Sequence, residues 1–185
     1  MSTAPLPDAA TLVAQLAPRV LAGMTSEEQA QGEALLAALV DHWLAEASAG
    51  TVGHQVLAIL TGDLDAAIRD KAPEARLELL RAQLLERRLQ LLSTRSFDIG
   101  RRVVDGAVDP ATAGADGRAI LAEVEAMAPE VRAIKDPVLQ APLNRMLQEI
   151  MLEALYAVEH KAMSGRLSRY ATDHARAAAD PPQVH

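Results

Sequence analysis

The chain has 185 residues, of which 50% are hydrophobic and 23% are charged, and its formal net charge is −7. This composition is typical of a globular protein that is long enough to bury a core, and it excludes a largely disordered chain. The absence of cysteine excludes disulfides, thiolate metal ligands and a cysteine nucleophile. The negative net charge also argues against nonspecific binding of nucleic acid.

The hydrophobic residues are of a helix-forming kind. The sequence contains 37 alanines and 26 leucines, whereas aromatic residues make up only 2% of it. Alanine and leucine have the strongest helix propensities, while strands favour the β-branched and aromatic residues that are scarce here. The sequence therefore predicts an all-α fold, an irregular bundle of about six to eight helices.

The N-terminal region predicts a tail and a first helix. Residues 1–7 contain two prolines and predict a flexible tail. From Asp8, a candidate N-cap, apolar residues recur at helical spacing until Gly23. Pro18 lies inside this pattern, so we expect the first helix to be kinked or split there.

Three further helices are predicted before residue 72. The segment Thr25-Ser-Glu-Glu places a hydroxyl cap before acids in a first helical turn, which predicts a helix to about Ser48. Thr51 predicts the cap of a short helix through Leu60. Because Thr61-Gly-Asp63 reads as a break, we expect a separate brief helix over 63–71.

The second half of the chain predicts two long helices. Pro73 suits the first turn of a leucine-rich helix over about 73–95, whose pattern weakens near Ser93–Phe97. Residues 105–117, which contain three glycines and a proline, predict a loop. A short helix then ends near Pro129, and a second long helix covers about 138–163.

The predicted elements form one domain. We expect a single helical domain over 8–178, interrupted only by the loop at 105–117. Residues 179–185 predict a disordered tail.

Leucine-rich faces on the two long helices predict association with another protein. The leucines of the 73–95 helix cover more than one narrow stripe, so this helix is either central in the bundle or buried on a second side by a partner. Methionines in the C-terminal half fit an adaptable apolar groove, although core filling explains them equally well. The candidate interaction surface consists of Leu80, Leu84, Leu91, Met146 and Met151.

Arginines give the chain an uneven charge distribution. The stretch 69–102 holds nine Lys/Arg against five Asp/Glu, whereas the remainder holds nine basic and twenty acidic residues. Guanidinium groups bind phosphates bidentately, so this stretch is a candidate surface for nucleic acid or another anion. Alternatively, the arginines pair with acidic helices of this chain or of a second copy. The candidates are Arg76, Arg81, Arg87, Arg88, Arg95, Arg101 and Arg102.

Histidines and glutamates on two helices suggest a candidate metal site. His42 and Glu46 share one helix face, as do Glu149, Glu153 and His160, because they are four or seven residues apart. Imidazole and carboxylate ligands from facing helices form di-iron sites in bundles, but the Glu-x-x-His spacing of those sites is missing from both helices. The alternative interpretation is a set of solvated side chains.

The sequence contains no phosphate-binding glycine loop, dinucleotide fingerprint, Gly-x-Ser-x-Gly elbow or His-Glu-x-x-His pair. We therefore name no catalytic residue, expect no cofactor, and expect a non-enzymatic protein that acts as a homodimer or as an adaptor for another helical protein. The alternatives are a nucleic-acid-binding or regulatory protein that uses residues 69–102, and a helical metalloenzyme. With no signal peptide or membrane span in the sequence, we expect a cytoplasmic location and no membrane association.

Overall fold

The computed structural model describes residues 5–48 and 53–179, without the side chains of Pro110 and of residues 160–179. Within this part of the chain it contains six helices and no strand. The helices are α1 (Ala9–Val20), α2 (Ser26–Ser48), α3 (Gly53–Ile68), α4 (Pro73–Val104), α5 (Pro110–Arg132) and α6 (Pro137–Ala179). The all-α prediction is confirmed, with a helix count at the low end of the predicted range.

Local capping residues set where the helices begin. Asp8 Oδ1 accepts a hydrogen bond from the Thr11 amide at 2.7 Å and caps α1. Thr25 and Glu28 form a reciprocal capping box before α2, because Glu28 Oε2 accepts the Thr25 amide at 2.8 Å and Thr25 Oγ1 accepts the Glu28 amide at 3.3 Å. Pro73 is the first residue of α4, as the sequence predicts.

Helices α1, α3 and α4 each continue past a position where the sequence suggests a split, a break or a weaker helical pattern. Helix α1 continues past Pro18, and α3 runs through Thr61 and Gly62, where two separate helices were predicted. Helix α4 continues through Ser93–Phe97 to Val104. A glycine inside a helix costs only about 1 kcal/mol, which the burial of apolar side chains on either side offsets. The predicted cap at Thr51 lies outside the described residues.

The loop between α4 and α5 is shorter than the predicted 105–117. Gly106, at a φ of 68°, ends α4, and the Ala107 amide donates to the Arg102 carbonyl at 2.9 Å in a Schellman arrangement. Asp109 Oδ1 then accepts the amides of Ala111 and Thr112 at 2.9 and 3.1 Å, so a new helix starts at once. The glycines at 114 and 117 consequently lie inside α5.

The two long helices extend beyond their predicted ends. Helix α4 covers 73–104 where 73–95 was predicted, and α6 covers 137–179 where 138–163 was predicted. The prediction of a tail at 1–7 falls partly, and that of a tail at 179–185 almost wholly, outside the described residues. Helix α5 includes Pro129, near which a helix end was predicted, and ends at Arg132.

The contacts group the chain into two compact units, where one domain over 8–178 was predicted. The first unit contains the chain up to Leu89 together with Glu130–Leu143, and the second contains Gln90–Pro129 together with the chain from Asn144 onward. The first unit packs α1, α2 and α3 against one another around Trp43, Leu36 and Leu80. The buried side chains of the second unit include Leu92, Ile99, Ile120, Val124, Leu147 and Ile150.

Candidate functional site

The second unit carries an apolar groove on its surface. The C-terminal part of α4 and the middle of α6 enclose a volume of about 560 Å³. Four large side chains in its lining are more than half exposed: Phe97 (66%), Val104 (80%), Leu152 (64%) and Tyr156 (59%). Contiguous apolar exposure of this kind marks surfaces that bind another molecule.

Helical spacing explains how the α4 wall of the groove forms. Phe97, Gly100 and Val104 follow one another at three- and four-residue spacing, so they lie along one face of α4. Ser96 and Ile99, on the adjacent face, are buried. A Cβ added at Gly100 would have no neighbouring atom within 4 Å, so this glycine leaves open space in the middle of the wall.

Helix α6 has an apolar surface on two sides. Its buried side is formed by Leu147, Ile150, Ala154 and Ala157, at helical spacing. Leu152 and Tyr156 lie on a different face and line the groove, although their side chains too are largely hydrocarbon. An α-helix that is apolar beyond one stripe is typical of a helix that is buried on a second side.

One cationic and one anionic side chain line the groove together with these apolar residues. The Arg101 guanidinium donates to Asp98 Oδ1 at 2.7 Å, and this hydrogen bond and the charge of Asp98 raise the pKa of Arg101 above its ordinary value. Glu153 lines the groove from α6 and has no hydrogen bond or ion pair to any described residue. Among the described residues, the groove thus carries a carboxylate without a partner and a guanidinium with N–H groups left to donate to a second partner.

Ser96 is the buried polar residue of this site. Its side chain lines the groove but is 4% exposed, and its Oγ has no hydrogen-bond partner among the described residues. A buried hydroxyl without a partner costs about 1–3 kcal/mol. The Ser96 hydroxyl therefore does not stabilise the folded state of the second unit through a hydrogen bond to any described residue.

The predicted interaction surface is only partly exposed. Leu80 is fully buried in the core of the first unit, so its assignment to a surface is wrong. Leu84 and Met146 are half-buried, while Leu91 and Met151 are exposed but do not line the groove. The groove residues Phe97, Val104, Leu152 and Tyr156 were missed, because periodicity identifies apolar faces without indicating which of two faces on one helix is buried.

Most of the predicted anion-binding arginines bind partners within the chain. The four ion pairs, with N–O distances from 2.7 to 3.3 Å, are Arg87–Glu46, Arg88–Glu130, Arg95–Glu123 and Arg101–Asp98. Arg76 donates to backbone carbonyls at the end of α1. The side chains of Arg81 and Arg102 make no hydrogen bond or ion pair with the described residues. This pattern supports the interpretation that the arginines mainly pair internally.

The structure does not assemble the candidate metal ligands. No group of three or more histidine, aspartate or glutamate side chains with metal-binding geometry occurs among the described residues. His42 is half-buried, and Glu46, on the same face of α2, is the partner of Arg87. Glu149 and Glu153 are exposed on α6, and the side chain of His160 is outside the described part.

The chain was compared with protein-family models, curated proteins and solved structures. No protein-family model, curated protein or solved structure matches the chain. None of the helices, over the residues that the structure describes, is both long enough and apolar enough to cross a membrane.

Proposed function

We propose that the protein acts through protein–protein association and that its groove in the second unit binds a second copy of the chain. The observation that carries this proposal is the cluster of four large apolar side chains, each more than half exposed, around one groove. Symmetric dimers are the commonest oligomers, and they bury the same surface on both copies.

The exposed area fits the centre of a dimer interface. An aromatic side chain such as Phe97 or Tyr156 buries about 150–250 Å² when fully covered, and the aliphatic Val104 and Leu152 bury somewhat less. At the observed exposed fractions the four side chains therefore present roughly 400–500 Å² in each copy. Two copies together would bury roughly 900 Å² of apolar surface there, against a total of about 1,200–2,000 Å² for a stable interface. The cluster therefore supplies an apolar centre, and polar residues around it supply the remainder.

The charges in the groove are self-complementary. In a twofold dimer, a contact from residue i to residue j is repeated from j to i. Arg101 of one copy facing Glu153 of the other therefore gives two ion pairs, and the unpaired carboxylate described above gains a partner. Neither a uniformly acidic nor a uniformly basic partner would satisfy both side chains, which is why a second copy is favoured as the occupant.

The first test compares two equally exposed side chains. Leu152→Glu places a charge in the groove, whereas Ile59→Glu changes a residue of α3 that is exposed to nearly the same extent, 62% against 64%. We expect sedimentation to show a dimer for the wild type and for Ile59→Glu, and a monomer for Leu152→Glu. A wild-type protein that stays monomeric at high micromolar concentration would contradict the proposal.

The second test uses exchanged charges. Arg101→Glu and Glu153→Arg each place like charges opposite one another in the proposed dimer, so each variant alone should dissociate more readily than the wild type. Mixing the two variants restores both pairs between unlike chains and should give a heterodimer. If the wild type dimerises but the mixture forms no heterodimer, the dimer uses other contacts than this pair.

The other hypotheses from the sequence gain no comparable support. Binding of nucleic acid by the 69–102 stretch requires free guanidinium groups, and five of the seven candidate arginines already have partners. The metalloenzyme hypothesis has no group of ligands among the described side chains. Association is therefore the function that the geometry supports best.

A further inference from the structure

The first unit contains a separate pocket that combines apolar walls with a cation. The pocket has a volume of about 320 Å³ and lies against α2, α4 and the turn after α5. Its apolar lining includes Leu35, Leu84, Leu85 and Ile134, and its basic residues are Arg81 and Arg88.

The two arginines of this pocket differ in their bonding. The Arg88 guanidinium donates to Glu130 at 2.9 Å, so its charge is neutralised at the pocket itself. Arg81 has no hydrogen bond or ion pair with the described residues, whereas the neighbouring α4 arginines at 76 and 87 both have partners. The described residues that line the pocket, with Arg81 and Arg88 against Glu130, therefore leave one positive charge in excess beside an apolar wall.

Hydrogen bonds hold the turn that forms one side of the pocket. Glu78 on α4 accepts the backbone amides of Lys135 and Asp136, the latter at 3.0 Å. The Gln140 side-chain amide donates to the carbonyl oxygen of Ile134 at 2.8 Å. Because the turn is fixed from both α4 and α6, the pocket is formed before any ligand arrives, which lowers the entropic cost of binding.

We infer that this pocket binds a small amphipathic carboxylate, with the carboxylate on the Arg81 guanidinium and the hydrocarbon part against the leucines. A guanidinium fork matches a carboxylate bidentately. At about 30 Å³ for each water-sized group, the volume accommodates roughly ten non-hydrogen atoms. An unbranched fatty acid of medium chain length has this size. The inference concerns a site in the first unit and goes beyond the proposed association.

The test is calorimetric titration of the full chain with octanoate. We expect saturable binding to the wild type, weakened at least tenfold in Arg81→Gln. The matched control is Arg102→Gln, which removes a second arginine without a described partner from outside the pocket and should leave the affinity unchanged. Ala133→Phe fills the pocket from an exposed position and should abolish binding.

Titration with 1-octanol separates the charge from the hydrocarbon. If the alcohol binds as tightly as octanoate, the guanidinium plays no part and the inference is overturned. The same conclusion follows if the wild type shows no saturable binding of octanoate, or if Arg81→Gln and Arg102→Gln bind it equally well. Circular dichroism of each variant confirms that the fold is retained.

Discussion

Arg76 connects the end of α1 to the beginning of α4, and its replacement gives the most specific stability prediction. Its Nη1 donates to the carbonyl oxygens of Val20 at 3.1 Å and Ala22 at 2.9 Å, with a longer contact of 3.3 Å to Arg19. Its Nε donates to the Lys71 carbonyl at 2.8 Å. The last carbonyls of a helix have no partner within the helix, so Arg76→Gln leaves the carbonyls of Arg19, Val20 and Ala22 without this side-chain donor.

The size of the effect follows from the number of protons available. Nη1 carries two protons that three carbonyls share, and Nε adds a third, so roughly three hydrogen bonds are lost at about 1 kcal/mol each. We therefore expect the free energy of unfolding to fall by about 2–3 kcal/mol. For a chain of this length that corresponds to a decrease in melting temperature of about 5–10 °C. An ion pair between half-exposed side chains, such as Arg88–Glu130, contributes only about 0–1 kcal/mol.

The assay uses the single tryptophan of the chain. Trp43 is buried in the core of the first unit, which also contains Arg76, so its fluorescence during urea denaturation reports the unfolding of that unit. Arg88→Gln, in the same unit, is the matched control because it removes one guanidinium and one ion pair. If the unfolding free energies of Arg76→Gln and Arg88→Gln agree within about 0.5 kcal/mol, capping by Arg76 is refuted.

Two further predictions concern glycine packing and pH. A Cβ at Gly117 would lie 2.9 Å from a backbone carbonyl oxygen of α6, so Gly117→Ala should destabilise the protein by about 1–3 kcal/mol. Gly62→Ala, with open space around it, should stabilise the protein by about 0.5–1 kcal/mol. A melting temperature that rises in Gly117→Ala or falls in Gly62→Ala would contradict this packing. Hydrogen bonds from the Thr25 amide, chiefly, and from its hydroxyl lower the pKa of Glu28. The ionised Glu28 carboxylate therefore stabilises the folded state fully above the ordinary pKa of a glutamate, and this stabilisation is lost as the pH falls through the lowered pKa. Glu28→Gln should therefore lower the urea midpoint of unfolding at neutral pH and leave it unchanged in strong acid. An equal decrease at both pH values would be inconsistent with stabilisation by the ionised carboxylate.

Sequence reasoning performed best at helix starts and worst at helix interiors. The expected caps at Asp8 and Thr25 are present because a cap depends on residues three or four positions apart. The break predicted at Thr61 is absent, and α4 continues past the end predicted near residue 95, because a weak local preference for a break is overcome when the residues on either side are buried. Local propensity alone cannot show that burial.

The candidate sites were harder to predict for the same reason. Leu80 in α4 and Leu152 in α6 are both leucines of long helices, yet the first is fully buried and the second is 64% exposed. Likewise, nothing near Arg81 and Arg88 in the sequence shows that only Arg88 has an acidic partner, since that partner, Glu130, is 42 positions away. The sequence alone determined that the chain is helical and where α1, α2, α4 and α6 begin, because these properties depend on residues within one helical turn. Only the tertiary structure decided which apolar faces and which charges remain available to another molecule, because that depends on contacts between residues distant in the chain.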